Sequence, residues 1–335
     1  MTYKIMAASA LIVTFVLTVL FSKKLIPILK SKKMGQKILD IGPRWHKSKE
    51  GTPTMGGIAF IAAMLIVGGV VSAVIWVLDG AEMALSLIFT LGLGLAGGLI
   101  GCVDDAAKLR NKRNEGLTAS QKFLLQLLAA ALYLFGMSMV FGVNTKLYIP
   151  FADTPIELGV FYYIVSLILI CGMLNSVNLT DGIDGLASSV TLVVGLFFIA
   201  AGFAGGLAEP DGPLLGLGVL TVGGCAGFLV YNLNPARVFM GDTGSIFLGG
   251  LVVGGAFMMN NPLIIVICGL VYIIETASVM LQVTYFKLTH GKRLFKMAPI
   301  HHHFEKCGWS ENKIVAVFTV VTIILSAVAF LSIIK

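Results

Sequence analysis

Two adjacent carboxylates, Asp104 and Asp105, directly follow Met83–Val103, an apolar run that is long enough to cross a lipid bilayer. Because a charge at the bilayer centre costs about 3 kcal/mol or more, such a pair is expected at a water-filled interface, where it points to a functional site. Lys108 follows one helical turn later and can pair with either carboxylate. A solvated helix end with an internal ion pair would explain the same residues, so the pair needs further support.

The segment Asn175–Gly185 concentrates oxygen acceptors and amide donors in a short predicted loop. Asp181 and Asp184 each precede a glycine, and two such turns would form a compact polar group together with Asn178. A plain turn needs only one Asp-Gly pair. The pattern therefore favours recognition of a ligand or a metal ion.

The segment Tyr231–Ser245 carries Asp242 just before the eighth apolar run. Capping of a helix N-terminus would account for this carboxylate on its own. It would not account for Asn232 and the aromatic ring of Phe239 in the same turn. We therefore expect Asp242 to belong to the same polar site.

The segment Gly51–Gly57, Gly-Thr-Pro-Thr-Met-Gly-Gly, lies at the start of the second apolar run. Hydroxyl groups such as that of Thr54, and backbone amides exposed by glycine at a helix start, favour anions. Lys49 adds positive charge to this segment, and Lys122 adds more at the start of the fourth run. For the lysines before Arg44, a topology signal that attracts anionic lipid is the preferred interpretation.

Three consecutive histidines, His301, His302 and His303, follow Pro299 in the last predicted loop. Because three consecutive side chains cannot converge from a regular helix, we expect an extended segment in which His301 and His303 share a side. Such a pair suits phosphate binding or proton transfer. Zinc binding is the weaker alternative, because neither a cysteine pair nor an HExxH motif accompanies the histidines.

Two polar residues, Glu275 and Gln282, interrupt the ninth apolar run. They are seven residues apart and therefore lie on nearly the same helical face. Polar groups in membrane helices usually face the interior of the bundle. The sequence leaves two alternatives: both residues face the interior, or the helix breaks between them.

The composition is that of a membrane protein. Of 335 residues, 57% are hydrophobic and 12% are charged, and the mean hydropathy is +0.93. At about 20 residues per crossing, ten apolar runs predict an all-α, polytopic integral membrane protein with a single domain, residues 1–335, in which the eighth run is short and the ninth interrupted. The ten runs are Ile5–Phe21, Thr54–Leu78, Met83–Val103, Phe123–Phe141, Gly159–Leu174, Leu186–Leu207, Leu214–Tyr231, Ser245–Met259, Leu263–Leu288 and Ile314–Ile334.

Positive charge lies almost entirely in alternate loops. Of the 24 Lys and Arg residues, only Lys4, Lys146 and Lys335 fall on the other side. Positively charged loops stay in the cytoplasm, so we expect both termini outside and the polar segments on the cytoplasmic side.

Three smaller features have structural interpretations. The stretch Gly92–Gly97 matches GxGxxG, but it lies inside an apolar run with no strand before it, so we expect close helix packing. Lys146–Ile156 is expected to form a short outer hairpin. The five cysteines form no CxxC pair and are expected to be reduced packing residues.

The loops on the predicted cytoplasmic side together offer several carboxylates among cations. This pattern is expected for a Mg²⁺-bridged pyrophosphate, since carboxylate oxygens hold the metal while Lys and His neutralise phosphate oxygens. The sequence contains no Walker A motif, so transport driven by ATP is unsupported. The groups are Asp104, Asp105, Asp181, Asp184, Asp242, Lys49, Lys108, Lys122, Arg237 and the three histidines.

Five motifs resemble those of the phospho-N-acetylmuramoyl-pentapeptide transferase family, and they occur in the family's order across almost the whole chain. The His-His-His-Phe-Glu element separates this branch from relatives that act on N-acetylglucosamine. The motifs are Gly-Thr-Pro-Thr-Met-Gly-Gly at 51–57, Asp104-Asp105 with Lys108, Asn-Leu-Thr-Asp-Gly-Ile-Asp-Gly at 178–185, Phe-Met-Gly-Asp at 239–242 and Pro-Ile-His-His-His-Phe-Glu at 299–305.

The resemblance implies a bacterial inner-membrane enzyme that transfers phospho-MurNAc-pentapeptide from UDP-MurNAc-pentapeptide to undecaprenyl phosphate, giving lipid I and UMP. It also implies ten transmembrane helices, Mg²⁺ and a homodimer, with no nucleic-acid partner. We expect direct in-line displacement, with a two-step route through a phospho-aspartate as the alternative. Two other functions stay open: a polyprenyl-phosphate GlcNAc-1-phosphate transferase, and a flippase for a lipid phosphate, which the position of the carboxylates at one interface disfavours.

The resemblance also implies a role for each motif residue. Asp242 would be the principal Mg²⁺ ligand, and Asp104 and Asp105 would orient or deprotonate the lipid phosphate. Charge would be neutralised by Lys108, Lys122 and His301. The nucleoside pocket would consist of Lys49, Asn178, Asp184 and Phe239, whose ring would stack on uracil. The surrounding donor pocket would be lined by Thr54, Asp181, Asn232, Gln282, His302 and His303.

Overall fold

The computed structural model describes residues 2–32, 49–111, 116–152, 154–204 and 211–334. Within these ranges the chain is a bundle of helices with one small hairpin, which confirms the predicted all-α class. The elements are α1 (Thr2–Ser31), α2 (Gly57–Asp79), α3 (Ala81–Asn111), α4 (Ala119–Phe141), β1 (Lys146–Leu147), β2 (Ile156–Glu157), α5 (Phe161–Thr180), α6 (Leu186–Ala204), α7 (Gly212–Asn232), α8 (Gly241–Met258), α9 (Ile265–Cys268), α10 (Leu270–Leu288), α11 (Ile300–Lys306) and α12 (Glu311–Leu331).

Nine helices in the described ranges are long and apolar enough to cross a membrane, and the number is ten if a bent pair, Pro262–Cys268 with Leu270–Leu288, is counted as one span. The prediction of about ten spans with an interrupted ninth is therefore confirmed. The two segments of the pair meet at 80°. The break falls at Gly269, whose backbone leaves the helical conformation at φ −101° and ψ 13°. The alternative that the helix breaks between Glu275 and Gln282 is wrong, because both lie on the continuous helix α10.

Helix α1 continues well beyond the predicted apolar run and ends at Ser31 instead of Phe21. The lysines that follow Phe21 are good helix formers. Leu25 and Leu29 then pack against the hydrophobic core, and this contact extends the helix. Residues 33–48, which hold the rest of the predicted basic loop, lie outside the described residues.

The helix starts use side-chain caps where the sequence provides them. Thr118 and Gln121 form a reciprocal capping box before α4. Asp211 accepts a hydrogen bond from the Leu214 amide at the start of α7, and Ser310 caps α12 in the same way. These caps fix where α4 and α12 begin, which matters for the polar site described below.

Helices α3 and α8 run antiparallel and touch through glycines. A Cβ atom on Gly97 would lie 2.8 Å from the carbonyl oxygen of Ile246, and one on Gly101 would lie 2.2 Å from that of Asp242. The backbones can approach this closely only because these positions have no side chain. The interpretation of the Gly92–Gly97 stretch as a packing surface is confirmed for Gly94 and Gly97, whereas Gly92 is exposed. The contact brings the C-terminal end of α3 to the N-terminal end of α8.

The periphery of the fold agrees with the sequence. Strands β1 and β2 pair antiparallel with Lys146 opposite Glu157, so the predicted hairpin is confirmed, although Asp153 lies outside the described residues. All five cysteines are free. The outer face of α4 exposes large apolar side chains such as Leu124 and Phe135, as expected for a helix that faces lipid.

Candidate functional site

Three carboxylates meet where the end of α3 touches the start of α8. Asp104, Asp105 and Asp242 each offer an oxygen atom, and these atoms lie within 4.8 Å of one another. Asp104 and Asp105 are buried, and Asp242 is half-buried. The predicted convergence of the carboxylate pair with Asp242 is therefore present in the structure. Its cause is the glycine-mediated contact between the two helices.

Asp105 holds the first turn of α8. Its Oδ1 accepts a hydrogen bond from the Asp242 amide at 3.2 Å, and its Oδ2 accepts from the Thr243 amide at 3.0 Å and the Thr243 hydroxyl at 2.7 Å. The first amides of a helix have no partner within the helix, so a carboxylate from α3 satisfies them here. Asp242 itself does not cap α8, because the N-cap residue is Met240. Its carboxylate is left for other groups.

Asp104 is held by the segment that follows α3. Its Oδ1 accepts a hydrogen bond from the Leu117 amide at 2.7 Å, and its Oδ2 lies 2.6 Å from Lys108 Nζ. The same lysine lies 3.1 Å from Asp242 Oδ2. Lys108 therefore forms an ion pair within α3 and a second ion pair with α8.

Asp242 is the centre of the polar cluster. Besides Lys108, its Oδ2 contacts Lys122 Nζ at 2.7 Å. Its Oδ1 accepts a hydrogen bond from Asn178 Nδ2 at 2.9 Å. The amide of Asn178 also donates to Ser245 Oγ, at 2.8 Å. Residues from α3, α4 and α5 thus converge on one carboxylate of α8, and two ammonium groups lie among the three carboxylates.

Asn178 reaches this cluster from a helix and not from the predicted loop. Helix α5 continues to Thr180, so the loop comprises only 181–185. The hydroxyl of Thr180 donates to the Ser176 carbonyl, and the amide of Asn175 donates to the Cys171 carbonyl. Polar side chains that bond backward to helix carbonyls in this way are compatible with the last turn of a buried helix.

Asp181 begins the loop after α5 and is half-buried. Within the described part of the chain its carboxylate accepts no hydrogen bond, unlike those of Asp104, Asp105 and Asp242. Burial and the neighbouring carboxylates, chiefly Asp242, raise the pKa of Asp181 well above its usual value. Asp181 is therefore an acid at the edge of the cluster whose carboxylate accepts no hydrogen bond from the described residues.

A second group joins three distant parts of the chain. Lys49 Nζ lies 2.7 Å from Asp184 Oδ1 and 2.6 Å from Glu311 Oε2. The same Glu311 oxygen accepts a hydrogen bond from the Asp184 amide at 3.1 Å. Asp184 Oδ2 accepts from the Asn234 amide and from the Ala236 backbone. Sequence reasoning linked Lys49 with Asp184 but missed Glu311, whose position in the first turn of α12 is fully explained by helix-dipole preference.

The segment before α2 pairs with the turn before α8. The Phe239 amide donates to the Pro53 carbonyl and the Gly56 amide donates to the Phe239 carbonyl, both at 2.8 Å. Thr54, between them, is buried, and Phe239 is half-buried. Asn232 is also buried and supports this turn, since its amide donates to the Val238 carbonyl at 3.0 Å. The predicted anion-binding segment is therefore attached to the turn that ends at Asp242.

The three histidines lie in the short helix α11, so the predicted extended segment is wrong. Each ring turns to a different partner. His301 Nδ1 lies 3.0 Å from Glu275 Oε2, and His302 Nδ1 lies 2.5 Å from Glu305 Oε2. His303 Nδ1 accepts a hydrogen bond from the Lys296 backbone at 3.1 Å. The three side chains bind different partners, so they do not need to converge on one point. A helix is therefore compatible with their contacts.

Packing after the histidines explains why this segment is helical. Phe304 stacks on Trp309 with the ring centroids 4.8 Å apart and packs against Phe318 of α12. Gln282 of α10 accepts hydrogen bonds from the Leu294 and Phe295 amides and so ties α10 to the segment before α11. Of the two polar residues on α10, Glu275 faces the interior as predicted.

The carboxylate cluster has the chemistry of a site for a hard divalent cation. Asp104, Asp105 and Asp242 supply oxygen atoms, which Mg²⁺ and Ca²⁺ prefer to nitrogen or sulfur. Mg²⁺ in particular uses one or two carboxylates and completes its coordination with water and phosphate. Asp242 fits best, because the groups that contact its oxygens are side chains that can exchange for a metal ion, whereas both Asp105 oxygens accept hydrogen bonds from backbone amides of α8. The cluster could thus hold a metal ion beside two lysines.

Comparison with known proteins identifies relatives that match almost the whole chain. A family model described as glycosyl transferase family 4 matches residues 85–260, and a phospho-N-acetylmuramoyl-pentapeptide-transferase signature matches residues 49–61. A protein of Clostridioides difficile (strain 630) named phospho-N-acetylmuramoyl-pentapeptide-transferase is 43% identical over 96% of both chains. Proteins of the same name from Clostridium acetobutylicum and Desulfitobacterium hafniense are 43% and 44% identical, over 97% of this chain and 98% and 97% of theirs. With its motifs, its helices and these relatives in agreement, this multi-pass membrane protein belongs to the phospho-N-acetylmuramoyl-pentapeptide-transferase family.

Proposed function

We propose that the protein transfers phospho-MurNAc-pentapeptide from UDP-MurNAc-pentapeptide to undecaprenyl phosphate, forming lipid I and UMP for peptidoglycan synthesis. Family membership supports the activity. The observation that carries it is the position of Asp242 at the start of α8, in contact with Lys108, Lys122 and Asn178. A carboxylate with two ammonium groups at a helix N-terminus suits a phosphate-rich substrate and a divalent cation.

Asp242 is the residue that we assign to Mg²⁺, with Asp104 as the nearest additional carboxylate. When bound, Mg²⁺ would neutralise charge on the pyrophosphate and polarise its phosphorus–oxygen bonds. Lys108 and Lys122 would bind the phosphate oxygens as the charge builds up during transfer. Asp105 serves this arrangement by fixing the first turn of α8 through its three hydrogen bonds.

The reaction would be a direct displacement at phosphorus. An oxygen of undecaprenyl phosphate attacks the β-phosphorus of the donor, and the bond between that phosphorus and the bridging oxygen breaks, so that UMP leaves. Asp104 is better suited than Asp105 to orient or deprotonate the lipid phosphate. Within the described residues only one backbone amide, that of Leu117, donates to Asp104, whereas both oxygens of Asp105 accept hydrogen bonds from backbone amides of α8. A phospho-aspartate route would predict exchange of UMP with the donor when no lipid is present.

The donor would lie across the segments that meet at Asp242. Lys49, Asn178, Asp184 and Phe239 would form the nucleoside pocket. The backbone pairing of Phe239 with Pro53 and Gly56 supports this assignment, since it holds the aromatic ring beside the anion-binding segment. Charge neutralisation by His301 belongs to the same proposal. The wider donor pocket would include Thr54, Asp181, Asn232, Gln282, His302 and His303.

The setting of the enzyme also follows from the proposal. The charge asymmetry of the loops supports a site on the cytoplasmic side of the bacterial inner membrane, with both termini outside. There the enzyme can take one substrate from the cytosol and the other from the bilayer. We propose that the chain forms one transmembrane domain and that two copies assemble as a homodimer.

Purified protein in lipid nanodiscs, supplied with radiolabelled UDP-MurNAc-pentapeptide, undecaprenyl phosphate and Mg²⁺, tests the proposal. We expect stoichiometric UMP and lipid I, and no product after addition of EDTA. Product from UDP-GlcNAc in place of the MurNAc donor would indicate the related GlcNAc-1-phosphate transfer. In sealed proteoliposomes, movement of the lipid phosphate across the bilayer without release of UMP would overturn the proposal in favour of a flippase.

A further inference from the structure

Among the ten buried side-chain atoms that have no hydrogen-bond partner within the described residues, two belong to side chains that contact each other: Glu275 Oε1 and His301 Nε2. Both side chains are fully buried, at 0% exposure. Buried polar atoms are nearly always paired, because an unpaired one has lost its water without gaining a replacement. Two unpaired atoms on one interacting pair of side chains therefore point to a function beyond packing.

The other two atoms of the pair face each other. His301 Nδ1 lies 3.0 Å from Glu275 Oε2, and the His301 backbone amide approaches the same oxygen at 3.5 Å. The hydrogen bond made by one imidazole nitrogen sets the proton position and the ring orientation for the other nitrogen. With Nδ1 donating to the carboxylate, Nε2 points away from α10.

Nε2 points at the loop after α5. A Cβ atom on Gly182 would lie 2.1 Å from His301 Nε2, so the ring occupies the space that a side chain at this position would need. Gly182 stands between Asp181 and Asp184, two residues of the proposed donor pocket. The imidazole therefore forms the support against which this loop rests.

A further hydrogen bond joins α10 to α5 beside this contact. Thr276, next to Glu275, donates a hydrogen bond to the hydroxyl of Ser176 at 2.8 Å and so fixes α10 to α5. Helix α10 follows the 80° bend at Gly269. The Glu275–His301 pair consequently connects the bent helix and α11 to the loop that leaves α5.

We propose that Glu275 is a positioning residue for the transfer reaction, which acts through His301. It holds the ring so that Nε2 faces the 181–185 loop and can form a hydrogen bond when the donor binds there. The inference rests on the proposed function, because the donor is the substrate named above. It adds a residue on α10 that has no contact with the carboxylate cluster around Asp242.

The variant Glu275→Gln tests this role, since it keeps the size of the side chain and removes the carboxylate. We expect kcat/KM for UDP-MurNAc-pentapeptide to fall by about 10- to 100-fold, by analogy with the loss seen when the hydrogen-bond partner of a metal-bound histidine is removed. KM for undecaprenyl phosphate should stay unchanged. The matched control is Ser278→Ala, which removes a buried hydroxyl from the same helix, one that bonds only to the Glu275 backbone carbonyl, and it should keep wild-type kinetics.

Two measurements separate positioning from a general loss of structure. In ¹⁵N-histidine NMR spectra, with the signal assigned by His301→Gln, the His301 Nε2 resonance should shift when donor is added to the wild type, and not in Glu275→Gln. In a double-mutant cycle, Glu275→Gln should cost nothing further in the His301→Gln background.

Full activity of Glu275→Gln, or additive losses in the cycle, would overturn the proposal. So would an activity loss that follows the fraction of unfolded protein in size-exclusion and thermal-unfolding measurements while the NMR response is intact. Absence of UMP release by the wild type would instead refute the proposed function. The NMR experiment distinguishes the two failures, because it needs donor binding and no turnover.

Discussion

Replacing Asp242 with Asn removes the charge at the centre of the site while keeping the shape of the side chain. We expect turnover to fall by about 10³-fold. One electrostatic group in a preorganised site contributes about 3 to 4 kcal/mol to the transition state, and each 1.4 kcal/mol is about a factor of ten in rate. The proposed metal ligand and the contact with both lysines are lost in the same change.

The fold should survive this substitution. Lys108 keeps its contact with Asp104 at 2.6 Å, and Lys122 keeps a hydrogen bond to Asn178 at 3.2 Å. The side chains of Lys108 and Lys122 are 32% and 17% exposed, so water screens them in part. The free energy of unfolding should fall by about 1 to 2 kcal/mol, between the values of surface and fully buried ion pairs.

The assay is UMP release at saturating substrates, over a range of Mg²⁺ concentrations, with binding of Mn²⁺ measured separately by electron paramagnetic resonance. Glu82→Gln, at the opposite end of α3, is the control for loss of one negative charge and should keep wild-type activity. Full Mg²⁺-dependent turnover in Asp242→Asn would refute the assignment of the metal to this carboxylate. A loss of activity with unchanged Mn²⁺ binding would refute it as well.

Three further predictions concern the surroundings of the cluster. Gly101→Ala should abolish most activity and lower the unfolding temperature, because its Cβ would lie 2.2 Å from a carbonyl oxygen of α8; Gly92→Ala, with open space around it, should do neither. Glu311→Gln should raise KM for the donor about 10-fold with kcat retained, since Lys49 loses a contact at 2.6 Å; an unchanged KM would contradict the pocket assignment. Because the pKa of Asp181 is raised in the folded state, thermal stability without metal should fall as the pH rises from about 4 towards that pKa, and Asp181→Asn should make this fall smaller; parallel pH profiles for both proteins would contradict it.

The arrangement around Asp242 could be predicted from the sequence because local patterns determine it. Apolar runs fix the helices, and the glycines of α3 permit one close antiparallel neighbour. The carboxylates stand directly at the ends of these runs, so helix packing brings them together. Asp104, Asp105 and Asp242 therefore follow from patterns that extend over a few helical turns.

Other features depend on contacts between distant segments, and the sequence does not display such contacts. Helix α11 forms because Phe304 packs on Trp309 and Phe318 and because His301 finds Glu275 in the interior. An isolated seven-residue segment would not be stable as a helix. The contact of Glu311 with Lys49 could not be predicted for a related reason, since an acidic residue in the first turn is common in any helix.

The two lysines on Asp242 occupy the position that a divalent cation would take. Lys108 and Lys122 already act as its counter-ions. Asp242 would hold a divalent cation in place of these ammonium groups, and Lys108 and Lys122 would then be available to the pyrophosphate of the proposed donor. By thermodynamic reciprocity, the cation and the donor should then raise each other's affinity by the same factor.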